Sequence, residues 1–239
     1  MKSRFQNLLQ ILLVLTSVSA CFSQITTVHL GGTSISLPAP RGFHEITSLS
    51  PEYRRLAEIN TYKNNRLLAV YFSEEDVGRI MKDEDAKMGR YMLVQTMESA
   101  ANKKISKSQF IDFAGGMKDD QYKLWDQYKS KIVPWLENTS DNISNEYDFI
   151  DYEMKIGEPV PLGIYYDTPE AFSFALLTKY SGSKGGNAFK SVVIGGSTVM
   201  LINKKMLFVY VYANFNSQDD IDWVRGISKS WIKSIQSVN

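Results

Sequence analysis

Residues 205–239, KMLFVYVYANFNSQDDIDWVRGISKSWIKSIQSVN, contain the pattern that determines the fold class. Aliphatic residues at the odd positions of 207–211 alternate with aromatic residues at the even positions of 208–212. Because the side chains of a strand alternate between its two faces, this segment is a predicted strand with two apolar faces. We expect cover on both faces, or one aromatic face that stays open for a ligand.

The residues after this strand predict a helix that packs against the sheet. Ser217 and Asp220 have the spacing of a capping box, with Asp in place of the usual Glu. An apolar stripe at helical spacing follows, formed by Val224, Ile227, Trp231 and Ile235. The chain therefore ends in a capped amphipathic helix.

Further helices and strands are predicted in the residues that precede this strand and helix. Alternating residues on both sides of a Gly-Gly pair predict a hairpin over 25–38. Two apolar runs predict strands at 65–72 and 90–97, and the near-helical spacing between 106 and 136 predicts a helix. We expect the polar residues 137–148 to form an exposed loop, and Gly195-Gly196 to mark a bulge or sharp bend.

Together these elements predict an α+β fold. Most strands are joined by short turns, which favours an antiparallel sheet, and the helices are amphipathic. We find neither a linker composition nor an internal repeat, so residues 24–239 are predicted to form a single domain.

Residues 1–23 have the features of a signal peptide. Lys2 and Arg4 supply a positive start, and the apolar stretch 8–20 is too short to span a membrane. Cleavage between Ser23 and Gln24 would place the small residues Cys21 and Ser23 at the −3 and −1 positions that signal peptidase recognises. Alternatively, Cys21 could be lipidated, because the residues before it resemble a bacterial lipobox. We favour cleavage before Gln24, because strand-like residues follow almost at once and leave little room for a tether.

The cysteine content and the net charge restrict the compartments and the binding partners that we expect. Cys21 is the one cysteine, so a chain that begins at Gln24 enters an oxidising compartment without a disulfide. Loss of residues 1–23 changes the formal net charge from +1 to −1. A nearly neutral chain gives no support for nucleic-acid binding, and we expect membrane contact only if Cys21 is lipidated.

Common catalytic and metal motifs are absent from the sequence. It holds two histidines, His29 and His44, and matches neither zinc-ligand spacing nor the GxSxG pattern of a nucleophilic serine. We therefore assign no catalytic residue, metal ligand or cofactor.

Aromatic residues supply the one candidate binding site. Ligand pockets are often lined by aromatic side chains together with a few polar groups. Tyr165, Phe208, Tyr210 and Tyr212 could line such a pocket. Packing between the sheet and a helix explains the same pattern and is its more common origin.

The segment ISLPAPRGFHEI (35–46) resembles the opening strand of small secreted α/β proteins with a PsbP-like fold. The match lies in Leu37-Pro38 and Gly42-Phe43. The closing strands and C-terminal helix are compatible with that fold, whereas the insertion around 100–150 departs from it. The resemblance implies a non-enzymatic accessory or binding module. Taken whole, the chain also resembles exported proteins of Gram-negative bacteria.

The sequence thus favours an exported, non-catalytic envelope protein that binds a protein partner or a small-molecule ligand. Its expected location is the periplasm or the extracellular space, or the membrane surface as a lipoprotein anchored through Cys21. The alternative is a secreted hydrolase with an unrecognised serine or carboxylate site.

Overall fold

The computed structural model describes most of the chain. The described residues are 24–82, 84, 87–120, 123–147 and 153–239. The predicted processing residues Cys21 and Ser23 lie outside these ranges, whereas Gln24 lies within them. Among the described residues, no helix has both the length and the apolar character that crossing a membrane requires.

Ten strands and six helices form within the described residues. The strands are β1 (Ile25–Leu30), β2 (Thr33–Pro38), β3 (Phe43–Glu45), β4 (Asn65–Ser73), β5 (Arg90–Met97), β6 (Glu153–Ile156), β7 (Val160–Thr168), β8 (Ala171–Lys184), β9 (Asn187–Ile202) and β10 (Lys205–Asn214). The helices are α1 (Pro51–Ile59), α2 (Glu74–Ile80), α3 (Glu98–Ala101), α4 (Lys107–Asp120), α5 (Leu124–Tyr147) and α6 (Gln218–Ser237). The predicted class is confirmed: the chain is one α+β domain with a mostly antiparallel sheet and helices packed on it.

Eight strands form one sheet in which every neighbouring pair is antiparallel. The order is β3-β4-β5-β10-β9-β8, and the outer edge of β8 pairs with both β7 and β6. β1 and β2 form a separate two-stranded hairpin, as the Gly-Gly turn predicts. The two-faced strand β10 therefore lies near the centre of the sheet, between β5 and β9.

Helix α6 and the β1–β2 hairpin cover one side of the sheet, which we call the first face. The indole Nε1 of Trp231 donates a hydrogen bond of 2.7 Å to the carbonyl oxygen of Pro38, and the Trp231 ring packs edge-on against Tyr71 at 5.2 Å. The Tyr71 hydroxyl donates to the carbonyl oxygen of Leu37 at 3.3 Å. These contacts join helix, hairpin and sheet in one buried core.

The N-terminus of α6 is held in place by the predicted capping box. The Ser217 and Asp220 side chains and backbone N–H groups bond reciprocally. The backbone N–H of Asn216 and the Arg90 guanidinium also bind the Asp220 carboxylate, and these contacts lower its pKa. Since Arg90 belongs to β5, the cap also fixes α6 relative to the sheet.

Helices α1, α4 and α5 lie on the opposite side, which we call the second face. Phe110 and Ala114 of α4 pack over the ends of β8, β9 and β10. Tyr53 and Ala57 of α1 pack over β4 and β5. Helix α5 contacts α1 on one side and the edge strand β6 on the other.

Residues 137–147 do not form the predicted exposed loop, and residue 148 lies outside the described residues. Helix α5 continues through Pro134 to Tyr147. The reason is a buried stripe at helical spacing, which includes Leu136, Ser140 and Ile143. The Ser140 hydroxyl donates to the carbonyl oxygen of Leu136 at 2.9 Å, so a polar residue is satisfied inside the helix.

A buried lysine connects the start of β10 to the preceding helices. Asn203 and Lys204 have φ values of 49° and 64°, which are typical of a tight two-residue turn and join β9 to β10. The ammonium group of Lys205 then donates to the carbonyl oxygens of Ala101 and Lys103 at 3.0 and 2.8 Å. Burial lowers the pKa of Lys205, and its two hydrogen bonds satisfy carbonyl groups at the end of α3.

The Gly195-Gly196 pair is not a bulge or sharp bend, because the register of β9 with both neighbours is continuous there. Instead, each glycine allows a close approach on one face. A Cβ atom at Gly196 would lie 2.7 Å from Cγ1 of Val224 and 2.8 Å from the hydroxyl of Tyr165. A Cβ atom at Gly195 would lie 3.1 Å from Cε1 of Tyr212 on the other face.

This difference predicts unequal effects of alanine at the two positions. Gly196→Ala should lower the free energy of unfolding by about 1–3 kcal/mol, because the buried Val224 and α6 must move. Gly195→Ala should change it by less than about 1 kcal/mol, because a small ring displacement is offset by the better strand propensity of alanine. Urea unfolding of both variants tests this, and equal losses would contradict the close approach of α6.

Candidate functional site

The centre of the second face combines tyrosines with very small side chains. On one side of β10, Tyr212 pairs with Tyr91 of β5. On the other side, Tyr212 and Tyr210 pair with Gly195 and Ser197 of β9. Because paired residues of neighbouring strands share a face, large rings stand directly beside positions with little or no side chain.

These small residues create a depression in the surface of the sheet. Beyond Gly195 and Ser197, the paired residues of β8 are again large, namely Leu176 and Phe174. Gly195, Ser197 and Leu176 are only half-buried, so solvent reaches the floor of this depression. We call it the tyrosine trough, defined by Tyr91, Tyr180, Tyr210, Tyr212, Gly195 and Ser197.

The aromatic wall of the trough consists of stacked rings. The ring centroids of Tyr91 and Tyr212 are 4.9 Å apart, and those of Tyr212 and Tyr210 are 6.1 Å apart. The ring of Phe208 lies 6.5 Å beyond Tyr210, with an interplanar angle of only 12°. Contact between neighbouring rings restricts each of them, so the wall is preorganised.

The tyrosine hydroxyl groups are the polar groups of the trough. Within the described part of the chain, those of Tyr180, Tyr210 and Tyr212 have no hydrogen-bond partner. Burial raises the pKa of Tyr180 and of Tyr212, and raises that of Tyr210 to about 12. All three side chains nevertheless remain partly accessible to solvent. They are therefore neutral donors in a partly buried part of the surface.

Neighbouring elements limit the trough. At one end, Phe113 of α4 packs edge-on against Phe208 at 6.4 Å and closes the sheet surface. Along one side, α1 covers β4 and β5. Helix α5 bridges α1 and β6, and Trp135 of α5 packs edge-on against Tyr62 at 6.0 Å. Within the described residues, the trough thus lies between these covering elements.

The four predicted pocket residues do not share one surface. Phe208, Tyr210 and Tyr212 lie in one row on the second face, where Phe208 is buried beneath α4 and the two tyrosines line the trough. Tyr165 lies on the first face against α6, with the guanidinium of Arg225 and the ammonium of Lys229 each 6.0 Å from its ring. Tyr165 can enter that layer because Gly196 leaves room for its hydroxyl.

Sequence reasoning missed the other half of the trough. The sequence placed Tyr91 in a predicted strand and Gly195 at a predicted bulge or bend, and it assigned neither these residues nor Tyr180 and Ser197 to a site. The alternation within each strand shows which residues share a face of that strand. It does not show that β5 and β9 flank β10, and only this pairing brings the residues together.

Other places in the described residues are weaker candidates. Ser34 and His29 form a hydrogen bond of 3.1 Å across the β1–β2 hairpin, but the pair is exposed and no described carboxylate bonds to the ring. Among the described residues, no group of side chains could hold a metal ion.

Two cavities border α5. One of about 390 Å³ lies against α1, and one of about 710 Å³ lies against β6. The larger one is lined by carboxylates, serines and aliphatic side chains. Glu153 in this lining is paired with Lys155 at 2.7 Å.

Comparison with known proteins assigns no family. No protein-family model and no curated protein matches the sequence. Among solved structures, the Ran-binding protein Mog1p of Saccharomyces cerevisiae is similar at 10% identity with a TM-score of 0.34, and a point mutant of Mog1 at 12% identity with a TM-score of 0.33. Each comparison covers 89% of this chain and 93% of the other. A likeness this distant carries no argument about function or partners.

The tyrosine environment predicts a distinctive alkaline titration. Tyr210 should ionise near pH 12, about two units above an exposed tyrosine, because burial disfavours its phenolate. Its contribution to stability is complete below about pH 10 and is lost as the pH rises towards 12. Phenolate absorbance should therefore lose this late step in Tyr210→Phe. Complete titration of every tyrosine near pH 10 in the folded protein would contradict it.

Proposed function

We propose that this protein is an exported, non-catalytic module that binds a small, mainly apolar ligand in the tyrosine trough. The single observation that carries the proposal is the contrast between the two faces of β10. Val209 and Val211 are 1% and 0% exposed beneath α6, whereas Tyr210 and Tyr212 remain partly accessible on the other face. Apolar surface left open in a concave site is typical of ligand-binding proteins.

A binding role suits the chemistry of the trough better than a catalytic one. The tyrosines are held as neutral phenols, so they are poor nucleophiles and poor bases at physiological pH. The serine on the floor, Ser197, has no histidine or lysine among its strand neighbours. Such a site can orient a ligand through donor groups and ring contacts, which is what a binding module requires.

Export is supported by the sequence of residues 1–23 and by the way the domain begins. Gln24 is already held at its backbone and its side chain: its carbonyl oxygen accepts from Ala39 at 2.7 Å, and its Oε1 accepts from the backbone N–H of Glu45 at 3.0 Å. A mature chain that starts at Gln24 would therefore keep all the contacts described above.

The processing proposal predicts the mass of the mature protein. Protein recovered from its native cell should begin at Gln24, because signal peptidase would cleave after Ser23. Intact-mass measurement with N-terminal peptide mapping tests this. An acylated Cys21 at the N-terminus would replace the proposal with a membrane-anchored form, and an intact Met1 would overturn export altogether.

The binding proposal predicts that a larger side chain on the trough floor blocks an apolar probe. The uncharged fluorophore N-phenyl-1-naphthylamine should bind the wild-type protein, and Ser197→Leu should weaken this binding at least tenfold by filling the depression between Tyr210 and Phe174. Fluorescence titration gives the two dissociation constants.

The matched control is Ser230→Leu, which makes the same change on the exposed side of α6. It should leave probe binding unchanged, and urea unfolding should show both variants to be folded. Unaltered binding by Ser197→Leu would contradict the trough as the binding site.

A further inference from the structure

We infer that the tyrosine trough selects uncharged ligands that present a hydrogen-bond-accepting oxygen, and that the hydroxyl groups of Tyr210 and Tyr212 donate to it. This inference rests on the proposed function and specifies its ligand class. The ligand it describes is a small, mainly apolar molecule with a carbonyl or similar oxygen, and not a purely hydrocarbon or ionic one.

The first argument concerns the unpaired donors. The hydroxyls of Tyr210 and Tyr212 have no hydrogen-bond partner within the described residues, and both side chains contact solvent. A ligand that displaces water from them must supply an acceptor, because a donor that loses water without a new partner weakens binding. A hydrocarbon of the same shape would impose that cost at each hydroxyl that it covers.

The second argument concerns charge. The strand positions around the two hydroxyls carry no ionisable side chain other than tyrosine: they are occupied by Leu93, Val193, Ser197 and Leu176. An anion bound here would lose its hydration without gaining a strand-borne cation, and a cation would find no strand-borne carboxylate. Burial of an unpaired charge is strongly unfavourable, so these strand positions favour neither a bound anion nor a bound cation.

The third argument concerns the tyrosines themselves. The hydroxyls of Tyr91, Tyr210 and Tyr180 are close enough to that of Tyr212 to reinforce the effect of burial on its pKa. Several phenols thus share a small enclosed space, in which a negative charge on any of them is disfavoured. At physiological pH the phenols therefore keep their protons and remain available as donors.

Three naphthalene derivatives of similar size separate these chemistries. 2-Acetylnaphthalene carries an uncharged acceptor, 2-ethylnaphthalene lacks it, and 2-naphthoate carries a negative charge. By displacement of N-phenyl-1-naphthylamine, the acetyl compound should bind about three- to tenfold tighter than the ethyl compound, as expected for one neutral hydrogen bond. The naphthoate should bind at least tenfold more weakly than the acetyl compound.

Tyrosine-to-phenylalanine variants assign the donors. Tyr210→Phe and Tyr212→Phe keep the ring wall and remove one hydroxyl each, so at least one of them should reduce the preference for the acetyl over the ethyl compound to less than twofold. Tyr166→Phe, on the first face, is the matched control and should retain the full preference. Because the readout is a ratio between two probes, general loss of affinity in a variant does not affect it.

The outcomes distinguish an error in the inferred ligand class from an error in the proposed binding site. Equal binding of the acetyl and ethyl compounds, or tightest binding of the naphthoate, would overturn the ligand class while Ser197→Leu still located the site in the trough. Failure of all three compounds to displace the bound fluorophore would overturn the inference alone. Failure of the fluorophore to bind the wild-type protein, or its unaltered binding to Ser197→Leu, would overturn the proposed function and the inference that rests on it.

Discussion

The structure depends on one constraint: the strand β10 has two apolar faces and lies near the middle of the sheet. Leu207, Val209 and Val211 on its first face are almost completely buried. This burial removes a continuous aliphatic surface from water and supplies much of the stabilisation of the domain. The hairpin, the C-terminal helix and the order of the strands all serve to cover this face.

The first face is covered by contacts that leave little freedom. Trp231 of α6 bonds to Pro38 of the hairpin and packs against Tyr71 of β4. Gly196 lets the same helix approach the backbone of β9 closely, and the capping box joins its N-terminus to Arg90. A Cβ atom added at Gly196 would meet Val224 and Tyr165, so we do not expect a ligand site beneath α6.

The second face is covered incompletely, and this asymmetry is the basis of the functional proposal. Helices α1 and α4 bury the two ends of the face, whereas Gly195 and Ser197 leave a depression between them. Filling this depression with a larger side chain would have extended the core. Instead, tyrosines supply ring surface and unpaired donors at the same place, a combination suited to a ligand with one apolar body and a polar atom.

Much of the fold could be predicted from the sequence because its signals are local. The alternation in β10, the Gly-Gly hairpin and the Ser217–Asp220 capping box each depend on residues close in the chain. Residues 137–147 were predicted wrongly as a loop, because their polar composition conceals a buried stripe that only tertiary contacts reveal.

The trough could be predicted only in part. Tyr210 and Tyr212 were identified by their aromatic character, but their partners belong to β5, β8 and β9. Strand order and register are long-range properties that composition does not contain. The sequence prediction therefore grouped Tyr210 and Tyr212 with Tyr165, which lies on the opposite face. The role of Gly195 and Gly196 required the same information, because a close approach is visible only when the approaching helix or ring is known.

The central claim is that the ligand binds on the tyrosine side of β10 and not on the α6 side. The most direct test is an aromatic proton–carbon correlation spectrum of tyrosine-labelled protein, recorded during titration with 2-acetylnaphthalene. The account predicts that the ring signals of Tyr210 and Tyr212 shift together and saturate, while those of Tyr71 and Tyr165 stay unchanged. Shifts confined to Tyr165, or no saturable shift at any tyrosine, would contradict it.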